Sequence, residues 1–120
     1  MTDDLTALAH ELDATPPEVF ARWEKDFPLY APVLDRWKAA MAERQRLNDQ
    51  NGEFYSRLLA REAPPLNLEN IANADLQATA GYATFIQRGE RFCDGHIGAC
   101  HERGLLAAVA RRFAELEARP

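Results

Sequence analysis

The sequence predicts an all-α fold, a compact single-domain bundle of five to seven helices with no sheet. Three observations predict it: apolar residues recur at spacings of three and four, prolines and glycines divide the segments, and no stretch alternates with period two. The chain has 120 residues, 47% of them hydrophobic, which is enough for one core. We therefore expect a single domain over residues 1–120.

The N-terminal half, residues 1–62, begins with two short amphipathic segments. The first carries a helical stripe made of Leu5, Leu8, Ala9 and Leu12. Residues 15–18, with the sequence TPPE, form a capping box that starts a second helix. That helix is expected to turn three apolar side chains inward: Val19, Phe20 and Trp23.

A third helix starts at Pro32, and its extent is open. Its apolar face is expected to hold Val33, Leu34, Trp37, Ala40 and Met41. Either one long helix covers residues 32–62, or two helices meet near Asn51. Because Asn51 and Gly52 form a turn signal, we favour a break or kink there.

A proline-rich connection over residues 63–72 leads to the C-terminal half, residues 73–120, for which three helices are predicted. Asn73 is expected to cap the first helix, and the second begins near Asp94 and ends at Gly104. The last helix carries apolar residues spaced three and four apart, namely Leu106, Val109, Phe113 and Leu116.

Composition and charge argue against several classes of protein. The net charge of −5 lacks the broad positive surface of a nucleic-acid binder, although the last 33 residues hold six arginines against five acids. The longest apolar run, residues 105–110, is too short to span a membrane, and the acidic start does not fit a secretory signal. Cys93 and Cys100 are too few for a disulfide scaffold, so we expect reduced thiols and a cytoplasmic location.

The densest group of reactive side chains is the segment RGERFCDGH, residues 88–96. Arg88 and Arg91 offer planar guanidinium groups for a carboxylate or phosphate, and Asp94 and His96 are candidates for orienting each other or for acid–base work. A purely structural explanation stands beside this one. In it Asp94 caps a helix, Arg91 pairs with a carboxylate, and His96 completes a hydrogen-bond network.

A metal site in the same region is disfavoured by spacing. Cys93, His96, Cys100 and His101 are ligand types that zinc prefers, but residues 93 and 100 are two helical turns apart. We therefore predict no metal and no cofactor.

Two further patterns lie in the N-terminal half. Residues 8–25 are similar to a helix-turn-helix, in which Arg22 and Lys25 would contact DNA, although nearby acids oppose them. Four aromatic side chains within fifteen residues, which belong either to the core or to a protein interface, are Trp23, Phe27, Tyr30 and Trp37.

Residues 73–116 resemble an uncharacterised family of small bacterial proteins, the domain of unknown function 6508. The resemblance is carried by Arg88, Arg91, Phe92, Gly95, His96, Ile97, Gly104, Leu106 and residues 112–116. It implies no established activity, cofactor or partner. Packing explains Phe92 and Ile97, and Gly95 suits a close backbone approach or an unusual dihedral angle. Arg91 and His96 are then the leading functional candidates.

Three function classes follow, and the first is favoured. It is a small non-enzymatic protein-binding regulator or inhibitor, for which a bacterial or phage defence system is one candidate setting. The second is a DNA-binding regulator that uses residues 8–25, and the third is an enzyme or small-anion binder that uses Arg91, Asp94 and His96. The partner is expected to be another protein rather than nucleic acid or membrane, and the oligomeric state stays open.

Overall fold

The computed structural model describes residues 2–48 and 51–119, and in this part of the chain eight helices and two strands follow one another. The elements are α1 Thr2–Asp13, α2 Pro17–Phe20, β1 Ala21–Glu24, β2 Phe27–Tyr30, α3 Val33–Leu47, α4 Asn51–Leu59, α5 Leu68–Ala72, α6 Leu76–Gly89, α7 His96–Glu102 and α8 Leu105–Glu117. None of the helices described is both long enough and apolar enough to cross a membrane.

The prediction of a mostly helical, compact chain is confirmed, and the prediction of no sheet is wrong. Strands β1 and β2 form an antiparallel hairpin in which Ala21 lies opposite Tyr30 and Glu24 lies opposite Phe27. The described residues also form eight helices rather than five to seven, because α2 and α5 are single turns of four and five residues. A single turn is too short to show a helical stripe in the sequence.

The longest helices build the core in the way their stripes predicted. Helices α1 and α8 pack along each other, and α3 and α6 complete the centre. The predicted stripe residues that are buried there include Leu5, Leu8, Ala9, Leu12, Val33, Leu34, Met41, Leu106, Val109 and Phe113. An exposed ion pair between Asp13 and Arg111 joins the end of α1 to α8.

The predicted second helix is wrong beyond Phe20. The hydroxyl of Thr15 does not cap α2; it donates back to the carbonyl of Glu11 at 2.7 Å, and Pro16 takes the cap position without a side-chain hydrogen bond. Phe20 is fully buried as expected, but Val19 and Trp23 are 58% and 53% exposed. The chain leaves the helical conformation after Phe20 and forms β1.

Two other predicted boundaries shift slightly. Helix α6 is capped by Asp75, whose carboxylate accepts from the N–H of Ala78 at 2.8 Å, whereas Asn73 ends the preceding turn α5. Helices α3 and α4 are separate, as favoured, but Asn51 and Gly52 lie in the first turn of α4. The remainder of the predicted break, residues 49 and 50, lies outside the described residues.

A close approach fixes α4 against α6. A Cβ atom added to Gly81 of α6 would lie 2.5 Å from Cδ1 of Phe54, so only glycine allows this aromatic ring to reach the α6 backbone. The ring of Phe54 also meets the buried ring of Tyr82 edge-on, with centroids 5.1 Å apart. This packing places the end of α6, and the cluster that follows it, beside α3 and α4.

Candidate functional site

The segment 88–96 holds the end of α6, the connection over residues 90–95, and the first residue of α7. Helix α6 ends in tight turns, in which the N–H groups of Phe92 and Cys93 both donate to the carbonyl of Gly89 at 3.1 Å. Gly95 then has φ of +91°, a left-handed conformation that favours glycine. A Cβ atom there would lie 2.6 Å from Cζ2 of Trp23. Both expectations for Gly95, an unusual dihedral angle and a close approach, are confirmed. The packing expected of Ile97 is also confirmed, but that of Phe92 is wrong, because its side chain is 85% exposed.

Glu90 organises this connection, and the sequence analysis did not single it out. One carboxylate oxygen accepts from the N–H of Ile97 at 2.8 Å and from the hydroxyl of Tyr30 at 2.9 Å. The other accepts from the N–H of Gly95 at 2.9 Å. Glu90 therefore supplies the partners that the first N–H groups of α7 need, and it ties the connection to β2.

Tyr30 completes the link between the hairpin and α7. Its hydroxyl donates to Glu90 and accepts from the N–H of Gly98 at 3.2 Å. Burial raises the pKa of the Tyr30 hydroxyl well above its ordinary value, and the negative charge of Glu90 raises that pKa further, while the N–H of Gly98 opposes the shift. The Tyr30 hydroxyl is therefore neutral near neutral pH, and it joins β2 to the start of α7 as both donor and acceptor.

His96 is half-buried and packs against the end of α6. Its ring lies so close to Gly89 that a Cβ atom added there would be 2.2 Å from the imidazole, and it meets the ring of Phe85 edge-on at 5.8 Å. Its Nε2 lies 3.6 Å from the thiol of Cys100. His96 therefore packs under the connection, where its ring closes the end of α6 against α7.

The remaining members of the predicted cluster do not assemble around His96. Asp94 is exposed, and the role of capping α7 that was considered for it belongs to Glu90. Arg91 is exposed, and its guanidinium makes no hydrogen bond or ion pair with any residue of the described ranges. Arg88 stacks over the ring of Tyr55, with Cζ 4.9 Å from its centroid. No hydrogen bond or ion pair joins Arg91, Asp94 and His96 to one another in the part of the chain that the structure describes.

The four aromatic residues divide into core and surface. The prediction of Trp37 as an interface residue is wrong. Its side chain is fully buried, and its indole N–H donates to the carbonyl of Leu106 at 3.0 Å. Tyr30 is half-buried and serves as the support described above. Trp23 and Phe27 are 53% and 51% exposed, and both belong to the hairpin.

The geometry expected for a helix-turn-helix is absent between residues 17 and 25. Arg22 lies in β1 and Lys25 at the tip of the hairpin, both exposed, so no recognition helix carries them. Glu24 lies beside them on the same strand, which leaves this surface of mixed charge. The prediction of a second helix that reads DNA is therefore wrong for these residues.

Apart from the contact between His96 and Cys100, the described cysteines and histidines do not converge. Cys93 is exposed, Cys100 is buried, and His101 turns away from both to place Nε2 2.8 Å from the carbonyl of Thr15. Among the residues whose side chains are described, no three His, Cys, Asp or Glu side chains are grouped closely enough to hold a metal ion.

Burial raises the pKa of the Cys100 thiol to about 11, and the positive charge of Arg103 only partly opposes this. Cys100 is thus an unreactive packed thiol at neutral pH.

Comparison with known proteins gives one match. No curated protein and no solved structure matches the chain significantly. The match is to a family model described as a family of unknown function, DUF6508, and it covers residues 57–119. It begins within α4 and includes the 88–96 connection, which confirms the resemblance predicted for the C-terminal half. The chain therefore belongs to the family of unknown function DUF6508.

Proposed function

We propose that this chain is a small non-enzymatic regulator that binds another protein through its β-hairpin. The observation that carries the proposal is the exposure of large apolar side chains on a hairpin that is fixed to the core. We call Phe27 and Leu29, which lie on the same face of the hairpin, the hairpin surface; their exposed fractions are 51% and 39%, and Trp23 on the other face is 53% exposed. Exposed aromatic side chains on one small element are typical anchors of protein interfaces.

The two faces of the hairpin have different roles. Ala21 and Trp23 pair with Tyr30 and Pro28 across the strands, and this face lies against α7. Phe27 and Leu29 pair with charged residues of β1 on the opposite face, which points outward. Only one face of the hairpin therefore packs against the rest of the protein. Packing does not explain why Phe27 and Leu29, on the other face, are apolar.

The hairpin is held in one conformation before any partner binds. A two-stranded hairpin alone is marginally stable in water, and here the core supplies what it lacks. Phe20 at its base stacks on the ring of His101 with centroids 4.0 Å apart, and Tyr30 is bound to Glu90. A surface that is already ordered loses little entropy on binding, which favours a role in recognition.

The proposal also places the chain in the cytoplasm. Cys93 is exposed and unpaired, and Cys100 is buried and unpaired. Free thiols in this arrangement suit a reducing compartment.

The experiment uses a photo-crosslinking amino acid at position 27 in the native host, with position 47 as the matched control. Leu47 is 63% exposed on α3, away from the hairpin. We expect a crosslinked protein of one defined mass from position 27 and none from position 47. The same product should be lost in a variant that combines Trp23→Ser with Leu29→Ser, but not in the variant Leu59→Ser.

The proposal fails if a folded protein gives no product at position 27, or gives the same products at both positions. Thermal unfolding of each variant shows whether it is folded. If the double variant is unfolded, the single variant Leu29→Ser replaces it in the test. This change removes one outward side chain and leaves the packed face of the hairpin intact.

A further inference from the structure

A second surface, separate from the hairpin, is a basic groove between α3 and the end of α6. The groove has a volume of about 470 Å³ and is lined by Gln45, Arg46, Thr84, Gln87, Arg88 and Arg91. Every lining residue is polar, three of the six are arginines, and no acidic side chain lines it among the described residues. A volume of this size suits a small ligand.

Side-chain hydrogen bonds connect the two helices at the floor of the groove. The Gln45 side-chain amide donates to the hydroxyl of Thr84 at 2.9 Å and to the side-chain oxygen Oε1 of Gln87 at 3.3 Å. These bonds join α3 to α6 across the floor. Arg88 is held from the side, because its guanidinium stacks over the ring of Tyr55.

Helix ends explain two of the three arginines but not the third. Arg46 and Arg88 lie in the last turns of α3 and α6, where a cation offsets about half a negative charge at each helix terminus. Arg46 is also paired with Glu43 at 2.8 Å. Arg91 lies beyond α6, and its guanidinium has no hydrogen-bond or ion-pair partner in the described ranges, yet it lines the same groove three residues after Arg88.

Arg88 and Arg91 therefore present two positive charges to one groove, and neither guanidinium is paired with a carboxylate of the described residues. Two like charges three residues apart repel each other, and a guanidinium group donates two parallel hydrogen bonds to a phosphate or carboxylate. We propose that this groove binds a small dianionic ligand, a phosphate monoester or a dicarboxylate, between Arg88 and Arg91. The proposal uses Arg91 as predicted, but with Arg88 as its companion and without Asp94 or His96.

The test is a titration of the ¹⁵N-labelled full chain followed by NMR, with inorganic phosphate and malonate as separate probes. Sodium chloride at equal ionic strength is the reference. At about pH 7.5 phosphate is mostly dianionic. We expect saturable shifts confined to residues 45–46 and 84–91 with at least one of the two probes. Saturation by phosphate alone would identify a phosphate ligand, and saturation by malonate alone would identify a dicarboxylate.

Variants establish which side chains hold the anion. Arg91→Ala should weaken binding about tenfold, as expected for loss of a charge-assisted hydrogen-bonding group, and Arg91→Lys should fall between it and the unchanged chain. Arg103→Ala removes the same charge from a residue that does not line the groove, and its affinity should stay within about twofold.

Shifts that grow linearly and equally with chloride would overturn the proposal, as would an Arg91→Ala variant of unchanged affinity. Arg91 is exposed and its side chain makes no described hydrogen bond or ion pair, so its variants are expected to unfold at the same temperature as the unchanged chain.

Discussion

At the scale of single residues, the acid that stabilises the connection is Glu90 and not Asp94. Asp94 attracted attention in the sequence because it lies between two arginines and a histidine, but it is exposed and holds nothing in place. Glu90, four residues earlier, accepts three hydrogen bonds from two backbone N–H groups and a tyrosine. Hydrogen bonds to charged groups contribute more to folding stability than those between neutral groups. We therefore expect the Glu90 carboxylate to stabilise the connection.

We expect Glu90→Ala to lower the free energy of unfolding by about 2–4 kcal/mol, because three buried or half-buried donors lose their acceptor. Asp94→Ala is the matched control, with an expected change within about 0.5 kcal/mol. Urea unfolding followed by circular dichroism measures both. Equal effects of the two substitutions would contradict the role assigned to Glu90.

Cys100 makes a second prediction at this scale, concerning alkaline pH. Burial raises the pKa of its thiol from 9.0 to about 11 in the folded protein. The unfolded chain therefore loses the proton first as pH rises, so the stability linked to this thiol is complete below about pH 9 and is lost as the pH approaches 11.

The free energy of unfolding should thus fall more steeply between pH 9 and pH 10.5 in the unchanged chain than in Cys100→Ala, a range set just below the raised pKa of about 11. Cys93→Ala, which changes an exposed thiol, should keep the slope of the unchanged chain. If Cys100→Ala and the unchanged chain gave parallel curves, the thiol would not be the titrating group.

At the scale of secondary structure, sequence periodicity worked where elements are long. The stripes of α1, α3 and α8 were predicted because a helix of 12 to 15 residues repeats its apolar spacing several times. Strands of four residues offer only two positions on each face, too few to establish alternation. The hairpin loop, Lys25 and Asp26, also lacks the glycine that usually marks such a turn.

The tip of the hairpin makes a prediction about that missing glycine. Lys25 has φ of +55°, a conformation that is unfavourable for a side chain with a Cβ atom. We expect Lys25→Gly to raise the free energy of unfolding by roughly 0.5–1 kcal/mol. Lys38→Gly, the same change at an exposed position inside α3, should lower it by about 1 kcal/mol.

Thermal or urea unfolding should show that Lys25→Gly raises the free energy of unfolding and that Lys38→Gly lowers it. A loss of stability in both variants would mean that Lys25 is not strained. Crosslinking from position 27 should persist in Lys25→Gly, because the outward face of the hairpin is unchanged.

The site was harder to predict than the helices for a related reason. Arg88, Arg91 and His96 were found because they crowd one short segment, but their directions depend on residues far away in sequence. Tyr30, which fixes Glu90, is sixty residues distant, and no local pattern links the two. Carboxylates favour helix N-termini, but this rule pointed to Asp94, directly before Gly95, rather than to Glu90.

At the scale of the whole molecule, the two halves of the chain complete each other. The indole of Trp37 donates to Leu106, and His101 reaches the carbonyl of Thr15. Arg44 forms a bidentate pair with Glu117, with distances of 2.8 and 3.1 Å. The family match covers residues 57–119, which excludes α1, the hairpin and α3, the elements that cover this core from the other side.

We therefore expect a fragment of residues 57–119 to lack a folded core of its own. Without α1 and α3 the apolar faces of α6 and α8 would be open to water, and a chain of about 60 residues has little other buried surface to offset that. The full chain should unfold in one transition that coincides by circular dichroism and tryptophan fluorescence. The fragment should show no cooperative transition, and addition of residues 1–56 should restore one. A sharp transition of the fragment alone would mean that the C-terminal half folds independently and that the single-domain prediction is wrong.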